Sequence, residues 1–116
     1  MRIEYPHAWV IIHSTVPEEI YKVLGAWRGG YLSGDSWRMN SGIVAVEEDD
    51  QYFHFDGWSG SRYSCLKGAY GLTMASGGVY DSMREGLGDA VTLMDEDTNW
   101  HEIDWKLDVP MSKRTD

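Results

Sequence analysis

Cysteine occurs once in the 116 residues, at Cys65. A single thiol cannot make an intrachain disulfide or a multi-thiolate metal site, and it suits a reducing compartment. Long apolar runs are also missing. The densest, Ala8–Ile12, is too short for the apolar segment of a secretory leader or for a membrane span. A soluble cytoplasmic protein is therefore expected. Basic residues are few: 10 Lys and Arg against 19 Asp and Glu, a net charge of −9. They are scattered, and only Lys113 and Arg114 are adjacent. Binding to phosphates or to an anionic membrane needs clustered cations, so direct contact with nucleic acid or membrane is not expected.

What the chain has in quantity is acid and aromatic surface. Glu47-Glu48-Asp49-Asp50 separates two strand-like runs, and Asp95-Glu96-Asp97 separates two more. Strands seldom carry such runs internally, so these carboxylates are expected at loop tips. Six Trp and seven Tyr are generous for this length and mark a folded domain, not an acidic tail. The length fits a single domain over 1–116 that buries roughly two-thirds of its unfolded surface.

Ala8–His13 reads as a buried strand. Thr15-Val16-Pro17-Glu18 has capping-box spacing, and Ile20, Val23, Leu24 and Trp27 recur at helical spacing up to Gly29-Gly30. A first helix is expected there. Tyr31–Ser36 reads as a loop, then Trp37–Val46, Gln51–Trp58 and Ser61–Leu66 as three strands in meander order, with Ser59-Gly60 in the second turn. Thr73 is placed to cap a second helix reaching Glu85, with Met74, Val79, Tyr80 and Met83 as its apolar stripe. Gly77-Gly78 weakens that helix unless close packing requires it. Ala90–Met94 and Trp100–Val109 read as the last strands, the second alternating Ile103, Trp105 and Leu107 against polar residues. A tail follows from Pro110. The predicted order is β-α-β-β-β-α-β-β, an α+β domain with a largely antiparallel sheet of about five to six strands and two helices on one face.

Catalytic and metal-binding patterns are incomplete throughout the chain. His7, His13, His54 and His101 lack metal-ligand spacing, and the acidic runs lack the alternating ligands of a calcium loop. Gly57-Trp58-Ser59-Gly60-Ser61 resembles a nucleophile elbow, but its last glycine is replaced and it sits between strands. Cys65 lies mid-strand without an activating neighbour and reads as a quiet, half-buried thiol. Asp56 is the one acid flanked by aromatics, and pairing with Arg62 across the hairpin explains it. No glycine-rich segment has the lysine of a phosphate loop. No cofactor, no metal and no enzyme activity are expected.

Surface recognition remains. Glu47, Glu48, Asp49, Asp50, Asp95, Glu96 and Asp97 would supply the field, with Trp58 and Trp100 as aromatic anchors. In size, charge and its EEDD and DED turns the chain resembles the small acidic anti-defence proteins of phages and mobile elements, anti-CRISPR proteins among them. That resemblance implies a cytoplasmic inhibitor acting by stoichiometric binding to a basic surface of a protein or ribonucleoprotein complex, in some cases as a nucleic-acid mimic. The resemblance carries over no residue-level role. Two other readings stand beside it: a small ligand-binding domain or enzyme built on His54, Asp56 and Arg62, and a phage structural or assembly protein that self-associates, as a homodimer for example, through a sheet edge or aromatics.

Overall fold

The computed structural model describes residues 2–30 and 34–107. In chain order the strands are β1 (Ile3–Glu4), β2 (Ala8–Ser14), β3 (Ile20–Gly30), β4 (Gly34–Met39), β5 (Ile43–Glu48), β6 (Tyr52–Gly57) and β7 (Arg62–Leu66). Helix α1 (Met74–Leu87) and strand β8 (Val91–Leu93) follow, with 3-10 turns at Gly88–Ala90 and Trp100–Glu102. The eight strands form two four-stranded sheets, ordered β1-β7-β6-β5 and β4-β3-β2-β8. All pairings are antiparallel except β1 with β7, where Ile3 stands opposite Arg62. The fold is α+β, with more strands and fewer helices than the sequence predicts.

Two cores result. Trp9, Ile11, Val23, Ile43, Phe55, Tyr63, Cys65, Trp100 and Trp105 fill the space between the sheets. On the other side of the second sheet, Val10, Ile12, Leu24 and Val91 meet Val79, Tyr80 and Met83 of α1. β2 is thus covered on both faces, which is why its sequence is apolar without alternation.

The expected first helix is a strand. Residues 20–26 pair with 8–14 along the whole of β2. Ile20, Val23, Leu24 and Trp27 fit a helical stripe, but a strand buried on both faces gives a similar apolar density. The β-branched Ile20 and Val23 lean towards strand, and Gly25 lets the backbone approach Pro6, where an added Cβ would come within 3.0 Å. The strand expected over Trp37–Val46 is also corrected: it divides into β4 and β5, one in each sheet. Asn40 makes the crossing. Its backbone N–H donates to Val23 O at 3.1 Å and its Oδ1 accepts from Val23 N–H at 3.0 Å, so the side chain completes a ladder the backbone is leaving. Gly42, at φ +138°, completes the turn, and Trp58 N–H donates to its carbonyl. β4 begins at Gly34, inside the segment expected as a loop; residues 31–33 lie outside the described residues.

The meander of β5, β6 and β7 is as expected, and so is the capped helix. Thr73 Oγ1 accepts from Ser76 N–H while Ser76 Oγ accepts from Thr73 N–H. Close packing does not explain Gly77-Gly78, since a Cβ at either would meet nothing within 4 Å. Gly77→Ala and Gly78→Ala are each expected to stabilise the protein by about 1 kcal/mol, read as a raised urea midpoint at constant slope. The last expected strand is corrected too. Trp100–Glu102 is a 3-10 turn and 103–107 runs without a ladder partner, although Trp105 is buried as its alternation predicted. Its end at Val109 and the tail from Pro110 lie outside the described residues. Among the described residues no helix is long and apolar enough to cross a membrane.

Candidate functional site

The first acidic run straddles the end of β5. Glu47 and Glu48 are strand residues paired with His54 and Phe53, against the expectation of a loop tip, and only Asp49 and Asp50 lie in the β5–β6 turn. Most of these carboxylates hold the fold. Asp49 Oδ1 accepts from the N–H groups of Gln51 and Tyr52 at 2.9 and 2.8 Å, an arrangement that closes the turn. Its Oδ2 lies 2.8 Å from His54 Nε2, whose Nδ1 lies 2.7 Å from Ser64 Oγ. Glu48 bridges Lys67 Nζ and His101 Nε2, and Glu47 reaches Arg62 at 3.3 Å. Asp50 is exposed and has no partner among the described residues.

These contacts set the carboxylate pKa values. Hydrogen bonds from His54 and from the Gln51 and Tyr52 amides lower Asp49 to about 2. Hydrogen bonds from Lys67 and His101 lower Glu48. A carboxyl depressed in the folded state stabilises above its unfolded pKa, near 3.8 for Asp49, and that contribution is lost as pH falls through about 2. The acid limb of the stability curve, measured by urea unfolding between about pH 4 and pH 2, should therefore be shallower in Asp49→Ala than in the parent protein. Parallel limbs would show that the turn does not hold this charge.

The second run lies in the turn after β8, where Asp95 O accepts from Thr98 N–H and Oγ1. The side chains of Asp95, Glu96 and Asp97 are exposed and unpartnered among the described residues. The Glu48–His101 contact, at 2.8 Å, ties the first run to the 3-10 turn that follows the second, His101 being four residues beyond Asp97. The half-buried Tyr70 phenol lies close to the second run. Burial raises its pKa to about 12, and the charges of Asp95 and Glu96 add to the shift. The fold thus brings the segments that carry the two acidic runs into contact through Glu48 and His101.

The aromatic residues expected there are placed differently. Trp100 is 1% exposed and packs between Trp9, Phe55 and Tyr70, so it is a core residue and not a surface anchor. Trp58 is 45% exposed but stands beyond Gly57, at the far end of β6 from Asp49, about 20 Å along the strand. Tyr5, Tyr52 and Leu66 are nearest the acids. Tyr5 and Tyr52 meet edge to face with ring centroids 5.9 Å apart, and Leu66 is the ladder partner of Tyr52. Tyr5 and Leu66 are 55% and 43% exposed. Nothing local marks Tyr5, because β1 is placed by parallel pairing to a strand some sixty residues on.

His54, Asp56 and Arg62 do share the outer face of the first sheet. Arg62 grips Asp56 through two hydrogen bonds of 2.7 and 3.0 Å, the cross-strand pair the sequence predicts. His54 joins Ser64 to Asp49, the three residue types of a hydrolase triad. Ser64 is 2% exposed, however, so its hydroxyl is closed to an external substrate. The chain of bonds pins the β5–β6 tip to β7. Cys65 is fully buried, and burial pushes its thiol pKa up, away from nucleophilic use. Among the described residues no group of three or more His, Cys, Asp or Glu could hold a metal ion.

No protein-family model matches the chain, and neither does any curated protein or solved structure. The functional reading therefore rests on the geometry of the acidic segments.

Proposed function

We propose that this protein is a non-enzymatic binding protein whose acidic segments mask a basic surface on a nucleic-acid-handling protein or ribonucleoprotein, as the anti-CRISPR-like inhibitors it resembles in character do. One observation carries the reading: the Glu48–His101 contact ties together the segments that carry the two acidic runs, and Asp50, Asp95, Glu96 and Asp97 have no partner among the described residues. Carboxylates not used internally remain available to cations on a partner. On a rigid two-sheet scaffold they give fast, salt-dependent association. Tyr5, Tyr52 and Leu66 supply apolar contact beside the β5–β6 turn.

Tagged protein is to be exposed to bacterial lysate at low salt and eluted along a salt gradient. The expected result is release of a nucleic-acid-handling complex at moderate salt. Equal recovery of that complex by a variant reversed at Asp50, Asp95, Glu96 and Asp97 would overturn the reading, as would the absence of any specific release.

A further inference from the structure

Between the loop joining β2 to β3 and the second half of α1 lies a cavity of about 340 Å³. Ile12, Ile20, Met83 and Leu87 give it apolar walls, and Lys22 and Glu18 are its charged lining residues. Its volume is at the lower end of the range for sites that take small molecules. Lys22 stands opposite Ile12 in the β2–β3 ladder, so both side chains lie on the helix-facing side of the sheet. Lys22 is half-buried. Lys67 and Lys106 both sit in ion pairs, whereas Lys22 has no partner among the described residues, Glu18 included.

A cation beside apolar walls, with no ion-pair partner among the described residues in a chain of net charge −9, fits an anionic head on an apolar body. We infer that this cavity binds a small aliphatic carboxylate, with its chain against Ile12, Ile20, Met83 and Leu87 and its carboxylate on Lys22 Nζ. The volume selects a short chain over a long-chain lipid. Glu18 is the more exposed of the two charged residues, and its negative charge opposes the ligand's. The two residues therefore have opposite effects: Lys22 holds the ligand, and Glu18 limits its affinity.

The probe is octanoate, titrated into the full chain and followed by amide chemical shifts, with octylammonium as the control of opposite charge. Saturable octanoate binding is expected, with shifts centred on residues 12–22 and 83–87 and weaker binding of octylammonium. Lys22→Gln should weaken octanoate by about tenfold, and Glu18→Gln should tighten it about twofold. Urea midpoints of both variants identify any loss of fold. Failure of octanoate to saturate the folded protein, equal affinity in Lys22→Gln, or preference for octylammonium would each overturn the assignment. Weakening by both substitutions would point to a zwitterion instead and would also overturn it.

Discussion

Replacing Trp100 by alanine is expected to cost about 3–5 kcal/mol of folding stability and to lower the melting temperature on the order of 10–20 °C. The indole is 1% exposed, with ring centroids 5.9 Å from Phe55, 6.1 Å from Trp9 and 6.2 Å from Tyr70. Removing it leaves a cavity where the two sheets and the segment after β8 meet, and three neighbouring rings lose their packing partner together. Domains of this size are stable by only about 5–15 kcal/mol, so a large share of the total is at stake. Trp100→Phe should lose less, because an aromatic ring still meets Trp9 and Tyr70. A surface anchor would behave in the opposite way, keeping the urea midpoint and losing partner binding. An unchanged midpoint in Trp100→Ala would overturn the placement of this residue.

Reversing Asp50, Asp95, Glu96 and Asp97 to lysine should slow association with a basic partner by about 10–100-fold, with a much smaller change in dissociation. The parent protein's on-rate should fall steeply with salt, and the reversed variant's should not, because screening acts on the same field. These four carboxylates have no internal partner among the described residues. Their reversal is therefore expected to leave stability within about 0.5 kcal/mol, so a slower on-rate would report binding alone. Reversal at Glu48 or Asp49 would not separate the two effects. Glu48 ties Lys67 to His101, and Asp49 closes the β5–β6 turn, so both substitutions disturb the fold as well as the field. Stopped-flow association across a salt series distinguishes the cases. An on-rate that survives the four reversals would remove electrostatic masking as the mechanism.

Legibility in the sequence follows the range of the interactions involved. The β5–β6–β7 meander, the Asp56–Arg62 pair and the Thr73 cap each join residues a few positions apart, and all were readable. The alternation around Trp105 indicates its burial, but 103–107 is not a strand. Alternation reports which side faces the core, whereas a ladder needs a partner that only the fold supplies. For the same reason the pattern from Thr15 to Trp27, closed by Gly29-Gly30, reads as a helix although Ile20–Gly30 is a strand. Its apolar spacing is shared by both structures, and the choice was made by β2, which pairs along it, and by the layers covering its two faces.

The sequence by itself determined that the carboxylates are clustered, that each cluster reaches into a turn, and that the chain can fill a core rich in aromatic residues. These are properties of composition and of nearest neighbours. The tertiary structure alone decided that Glu48 meets His101 beyond the second acidic run, that Trp100 is buried while Tyr5, Tyr52 and Leu66 lie beside the β5–β6 turn, and that Lys22 lines an apolar cavity. Each of those outcomes depends on contacts between segments far apart in the chain: Glu48 with His101, β1 with β7, and α1 over β2 and β3. Side-chain burial and charge pairing are set by such long-range neighbours, and a local pattern of residues does not specify them.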